Sequence, residues 1–235
     1  YNNRLTMTNK DIKNAYVGTT PVKAMYLGST KVYPTGPKGV YILDIDNKLF
    51  KKDKWDIENN SKAMGVAVIT DNCAFCIDIF GAPSDYLFTK PGYTIDEYPN
   101  IVTTQDEQTA LKDFNGNTNT STMTDWDTDR KYDAMLEAFI EWPNGVTEGY
   151  VGALGEWSEL YQYITEVNEC LTLLEGNKID NIYWTSTLVD TERVWGFVGN
   201  IDSPHLFGGK IAYVEDALAI RSFYPIDLSQ VTVVQ

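Results

Sequence analysis

The chain has 235 residues, 33 acidic and 19 basic, for a formal net charge of -14. That length carries one large domain, or a small module plus a domain, with an ample core. The acidity, unbroken by any basic run, disfavours a phosphate-backbone partner, so no nucleic acid is expected. No apolar run reaches the ~18 residues of a membrane span, and the opening on Tyr1 leaves room for a trimmed or processed chain that has lost a signal peptide.

The first elements are two short repeats. Tyr16-Val17-Gly18-Thr19-Thr20-Pro21-Val22 returns ten residues later as Tyr26-Leu27-Gly28-Ser29-Thr30-Lys31-Val32, closed by Tyr33. Gly-Thr/Ser-Thr between alternating Tyr and Val reads as two successive β-hairpins. Ribbons of two strands are marginal alone, so residues 1–36 are expected either to attach to a neighbour, to another copy or to a larger assembly, or to extend the domain itself. Pro34 to Lys38 reads as a linker before a domain over residues 37–235.

That domain opens with a hairpin, Val40 to Asp44 turning through Asp46-Asn47 into Leu49-Phe50, and continues with a buried strand over Val66 to Ile69. Ala74 to Ile79 reads as a further strand, and Gly81 to Thr124 as a long irregular stretch. Two helices are expected next. One is capped at Asp127-Thr128-Asp129 and carries Tyr132, Met135, Leu136, Phe139 and Ile140 at helical spacing until Pro143. The other starts near Gly155 and steps through Leu160, Ile164, Val167, Leu171 and Leu174 to a stop at Gly176-Asn177. The last fifty residues alternate around Trp184, Trp195, Phe197, Ile211 and Tyr213, which predicts antiparallel strands with turns at Gly199-Asn200 and Gly208-Gly209.

Chemistry-bearing constellations are sparse. Cys73 and Cys76 have Cys-x-x-Cys spacing, but three Cys and one His are few for zinc, and a strand context favours small buried hydrophobes. Asp44-Ile45-Asp46-Asn47 lacks the later glycine and glutamate of a calcium loop. Asp113 to Asn119 spaces oxygen ligands for a structural calcium, against the ordinary reading of Asn and Gly as turn residues. No nucleophile is placed beside the single histidine, His205. No cofactor is expected.

Three blocks stand out in order: Gly149-Tyr150-Val151-Gly152-Ala153-Leu154-Gly155-Glu156-Trp157, then Tyr183-Trp184-Thr185-Ser186-Thr187, then Ala219-Ile220-Arg221-Ser222-Phe223, with Lys62 to Val68 upstream. Over roughly residues 39 to 225 this order resembles the C-type-lectin-like domain of the major-paralogous-domain family, of unknown function, from gut Bacteroides-type bacteria and their phages. It is similar also to the variable proteins of diversity-generating retroelements. The resemblance implies an α+β, C-type-lectin-like fold, with two helices packed on twisted antiparallel sheets beneath long loops. Against the calcium and sugar motifs of such lectins, Glu97-Tyr98-Pro99-Asn100 is interrupted by a tyrosine and Trp142-Pro143-Asn144 is misplaced. The formylglycine-generating enzymes of the same fold use a cysteine pair near the C-terminal region, where this chain has none.

The resemblance therefore implies a non-enzymatic recognition protein that binds a cell-surface protein or glycan. Its setting would be a phage virion, tail-associated, or a bacterial surface, with homo-oligomers formed through the N-terminal hairpins. The alternative is a structural or decoration module with no ligand of its own. By analogy with the diversified window, the ligand-binding candidates are Leu188, Asp190, Glu192, Arg193, Trp195, Phe197, Asn200, Asp202, His205 and Phe207. Aromatics and Arg suit a binding hot spot, while the same parity of Trp195 and Phe197 also suits a core-facing strand.

Overall fold

A computed structural model describes the backbone of four short strands between residues 16 and 33, and then residues 37–125, 128–199 and 208–235. The chain divides into two units, Tyr1–Lys38 and Gly39–Gln235. In the first unit, β1 (Tyr16–Val17) pairs antiparallel with β2 (Thr20–Pro21), and β3 (Met25–Leu27) pairs antiparallel with β4 (Thr30–Tyr33). Both ladders close tightly, Val17 against Thr20 and Leu27 against Thr30, as each Gly-Thr/Ser repeat predicts.

The second unit is α+β. It begins with β5 (Gly39–Asp44) and β6 (Lys48–Phe50), joined through Asn47, whose φ is 59°. The Asp44 carboxylate accepts from the amides of Asp46 and Lys48, so the Asp-Asn turn chemistry fixes this register. Two 3₁₀ turns, Lys52–Lys54 and Ile57–Lys62, lead to β7 (Ala63–Ile69) and β8 (Ala74–Ile77).

Helices follow where the sequence suggests only loop: α1 (Glu107–Ala110) and α2 (Gly116–Asp125). The helix expected from the Asp127-Thr128-Asp129 cap to Pro143 is reduced to α3 (Asp133–Glu137), because the chain leaves it for a hairpin of β9 (Ile140–Glu141) and β10 (Thr147–Glu148) around Pro143-Asn144-Gly145. After β11 (Tyr150–Val151), the long second helix is split at Tyr163 into α4 (Leu154–Gln162) and α5 (Ile164–Leu173). The chain closes with β12 (Ile182–Leu188), β13 (Arg193–Val198), β14 (Gly208–Tyr213), β15 (Ser222–Pro225) and β16 (Thr232–Val233). Gly208 and Gly209 open a strand instead of making a turn. A Cβ on Gly209 would lie 2.8 Å from the Trp195 ring, so the missing side chain lets β14 pass over that indole.

A seven-stranded sheet runs in the order β11-β15-β8-β7-β5-β6-β16, and a three-stranded sheet in the order β12-β13-β14. The larger sheet is covered on both faces, which is why all seven residues of β7 are buried. Val40, Ile42, Val66, Val68, Phe75 and Ile77 meet Leu154, Trp157, Leu160, Val167 and Leu171 of α4 and α5. The opposite face, through Tyr41, Leu43, Met64, Ala67 and Ile69, packs against Trp142 and the tail residues Ile226, Leu228, Val231 and Val233. A third cluster lies on one side of the smaller sheet, where Trp184, Leu188, Val194, Ala212 and Leu218 meet Phe88, Met123, Tyr132 and Met135.

Trp157 is the centre of the first cluster. It stacks on Tyr183 at 4.6 Å and on Phe197 at 5.7 Å, with Phe223 edge-on at 5.1 Å. Its indole N–H has no acceptor among the described residues, a penalty of roughly 1–3 kcal/mol offset by complete ring burial. Gly65 makes a different demand, since a Cβ there would sit 2.0 Å from the Ile77 carbonyl oxygen of the neighbouring strand. Gly65→Ala is expected to push β7 from β8 and to cost about 1–3 kcal/mol, read as a lowered urea midpoint at unchanged slope. No described helix is long and apolar enough to cross a membrane.

Candidate ligand-binding surface

The three sequence blocks build a frame, held by buried polar side chains. Thr185, Ser186 and Thr187 are fully buried in β12, where three consecutive hydroxyls need partners. Thr185 donates to the Trp195 carbonyl at 2.7 Å, and Thr187 donates to Asp113 at 2.9 Å while its oxygen accepts from the Leu154 amide. Asp113 also accepts from the Asn119 side chain at 2.9 Å, so its carboxylate links α2 to β12. Asp113 is 1% exposed.

Glu156 lies in the same interior. Its carboxyl accepts from the Ala153 amide at 2.7 Å and from the Tyr150 hydroxyl at 3.0 Å, which ties the start of α4 to β11. Burial pushes its pKa up to about 8, against these hydrogen bonds and with the nearby Asp113 adding to the rise. Cys73, Cys76 and Cys170 are free thiols. Burial raises the Cys73 thiol to about 12 and Cys76 well above its ordinary value, so neither is poised as a thiolate.

Arg221 anchors the third block. It is 2% exposed and donates through Nε to the Asp78 carbonyl at 2.8 Å, and through Nη2 to the carbonyls of Ile79 at 2.6 Å and Asn177 at 2.9 Å. The Asp78 carboxylate lies 3.4 Å from Nε and accepts from the amides of Gly81 at 2.6 Å and Ser222 at 2.9 Å. Burial raises the Asp78 carboxyl above its ordinary value, and Arg221 with those amides opposes the rise. One guanidinium thus fixes the end of β8, the chain beyond α5 and the start of β15.

Over this frame the ten candidate residues fall into three groups. Leu188, Trp195 and Phe197 are 1%, 4% and 1% exposed, so they are core residues and are removed from any displayed surface. Trp195 and Phe197 join the helix-side cluster while Leu188 joins the other, following strand parity, and the Trp195 indole donates to the Thr104 carbonyl at 2.9 Å. Asp190, Glu192 and Arg193 are accessible at the β12–β13 turn, where the Asp190 carboxylate accepts from the Glu192 amide at 2.9 Å, the Arg193 amide at 2.8 Å and Arg193 Nε at 2.7 Å. Burial pushes Asp190 up, but these bonds outweigh it and leave the carboxyl below its ordinary value. Asn200, Asp202, His205 and Phe207 lie outside the described residues, in the connection from Gly199 to Gly208.

That connection and the Asp190–Arg193 turn leave β13 from opposite ends. Six strand residues put Gly199 roughly 17–20 Å from that turn. The Gly199 end is the one with relief. Gly199 donates its amide to the Asn181 carbonyl at 2.9 Å, and Asn181 lines a groove of about 230 Å³ formed by segments 80–85, 177–181 and 219–221 with Tyr183. Phe80 lines it and is 58% exposed, and Pro83, Ser84, Asp85, Lys178 and Asp180 are exposed too. The groove is tied to the frame, because Arg221 is part of its lining and Ala82 donates to the Ile220 carbonyl at 3.0 Å. Sequence reasoning missed Phe80, whose one signal was an aromatic directly before the turn-rich Gly81-Ala82-Pro83-Ser84-Asp85. No protein-family model, no curated protein and no solved structure matches this chain.

Proposed function

We propose that residues 39–235 form a C-type-lectin-like recognition module without catalytic activity, carried on a phage virion or a bacterial surface and binding a cell-surface glycan or protein. The observation that carries this reading is the contrast along β12 and β13. Their interior is locked by Asp113, Thr185, Thr187 and Trp195, while one end opens into the accessible Asp190–Arg193 turn and the Gly199 end lies beside a groove rimmed by an exposed phenylalanine. A fixed frame lets loop side chains change without unfolding the core. The raised thiols of Cys73 and Cys76 support a binding role over cysteine chemistry. The resemblance of the three blocks to diversified lectin-like proteins supports the same role, and through it Asn200, Asp202, His205 and Phe207 remain candidate contacts.

A purified chain is expected to bind saturably to intact cells of at least one strain in a panel of gut bacteria. Replacing residues 200–207 with a Gly/Ser linker of equal length is expected to lower that binding at least tenfold with an unchanged melting temperature. No saturable binding to any strain would sink the recognition reading. The alternative, an assembly module, would then gain, since β1–β2 and β3–β4 are separate two-stranded ribbons of a kind that is marginal alone.

A further inference from the structure

We infer that Asn144 is a site of spontaneous covalent modification, losing its side-chain amide through a cyclic imide formed with the Gly145 backbone nitrogen, while the fold suppresses the same step at Asn115-Gly116. The inference is independent of the recognition reading. Two Asn-Gly pairs occur in the chain, at 115–116 and 144–145. Glycine after asparagine favours this chemistry, because no Cβ crowds the approach of its nitrogen to the asparagine side chain. In sequence the two pairs are equal. Their surroundings are not.

Asn144 and Gly145 form the tip of the β9–β10 hairpin, and residues 143–147 are all exposed. Gly145 has a φ of 82°, and a Cβ placed on it would meet no atom within 4 Å, so the tip has room to change conformation. The Val146 amide donates to Asn144 Oδ1 at 3.1 Å, which folds the carboxamide back over the next peptide. That bond polarises the side-chain carbonyl, and the same N–H is in place to stabilise the oxyanion formed on attack. The opposing contact is the Gly145 N–H, which donates to the Trp142 carbonyl at 2.8 Å. In an exposed turn such a bond opens by local fluctuation.

At the other pair the nitrogen is out of reach. Asn115 is exposed, but Gly116 is buried and begins α2. The Gly116 amide serves the buried Glu156 carboxyl, and a Cβ on Gly116 would collide with that carboxyl. The Asn115 amide donates to Asp113 Oδ1 at 3.0 Å, and its carbonyl accepts from the Asn119 amide at 2.8 Å. Both peptide groups of Asn115 are therefore fixed.

The chemistry balances with water alone. The Gly145 nitrogen gives its proton to solvent, and its electron pair forms a bond to Asn144 Cγ. The Cγ–Nδ2 bond breaks, and the amide nitrogen takes up a proton and leaves as ammonia. Water then opens the imide at either carbonyl, giving aspartate or an isoaspartyl linkage that carries the backbone through Cγ. Both products add a negative charge to a hairpin that already bears Glu141 and Glu148. The isoaspartyl form also lengthens the turn inside the bond from the Trp142 amide to the Val146 carbonyl.

The test incubates the full chain at pH 7 and at pH 5, folded and in parallel unfolded in guanidinium chloride. Both Asn-Gly pairs are followed by peptide mapping with mass spectrometry. Unfolded, the two pairs are expected to convert at similar rates, which shows that their intrinsic chemistry is the same. Folded, Asn144 is expected to convert at least tenfold faster than Asn115. Its conversion should be faster at pH 7 than at pH 5, since the attacking nitrogen must lose its proton. Position 144 should then hold both aspartate and isoaspartate, because the imide opens both ways whereas direct hydrolysis gives aspartate alone. Equal rates at the two pairs in the folded chain would overturn the assignment. So would an Asn144 that stays intact when folded but converts when unfolded, or a product without isoaspartate.

Discussion

Arg221→Ala is expected to destabilise the domain by about 3–5 kcal/mol, the usual cost of removing one partner of a buried ion pair. The substitution strips donors from three backbone carbonyls at once, those of Asp78, Ile79 and Asn177, and leaves the Asp78 carboxyl without its cation. With Arg221 2% exposed, little water is at hand to replace it. Lys is no substitute, since one ammonium at the end of a flexible stem does not reproduce the Nε and Nη2 fork. Urea denaturation should show the midpoint falling with an unchanged slope. Asp78→Asn in the Arg221→Ala background should cost less than in the parent, because the neutral amide removes the stranded charge. A loss below ~1 kcal/mol, the range of surface pairs, would mean that the Ile-Arg-Ser-Phe block does not hold the frame together.

The parts of the fold legible in the sequence are those where local chemistry and tertiary packing agree. The Asp46-Asn47 turn, the apolar run of Val66 to Ile69 and the alternation around Trp184 each name their element, because hydrogen bonding and burial demand the same thing there. The failures share the opposite cause. Gly116 to Asp125 is rich in Asn and Thr, poor helix formers on their own, and folds as α2 because Asn119 and Thr120 find buried partners in Asp113 and Val151. Around Phe139 the helical spacing misleads. Tyr132 and Met135 are buried, but Phe139 is 44% exposed and Ile140 pairs with Glu148. The candidate surface was legible only at its turns. A single β-strand pattern does not tell whether one face or both are covered, and in β13 both are, which removes Trp195 and Phe197 from display. The groove was out of reach because its three segments are far apart in sequence.

Glu156 makes the stability of this domain depend on pH in the direction opposite to that of a salt-bridged carboxylate. Its folded-state pKa is raised from the ordinary 4.5 to about 8, so the native state holds the proton that the unfolded chain has released. Below 4.5 both states are protonated and the full stability is present. As pH rises through that window the unfolded state is stabilised by ionisation while the folded state resists it, and stability falls by ~1.4 kcal/mol per pH unit per proton. The total is on the order of a few kcal/mol, complete near pH 8, where the folded group also ionises. Asp78, also raised, acts in the same sense from its ordinary 3.8 upward. The lowered carboxyls Asp106, Asp190 and Asp227 act in the other sense, at pH below 3.8 and so outside this window. Protonation fits the local geometry, since the Tyr150 hydroxyl that donates to Glu156 at 3.0 Å is free to rotate and accept instead. Glu156→Gln has the same shape and keeps an oxygen for the Ala153 amide while its NH₂ faces Tyr150. Urea melts at intervals from pH 5 to 8 should therefore show a falling midpoint in the parent and a much flatter profile in Glu156→Gln. The two profiles should lie close together at the acid end. Parallel slopes in parent and variant would assign the pH dependence to other groups and leave Glu156 ionised within the core.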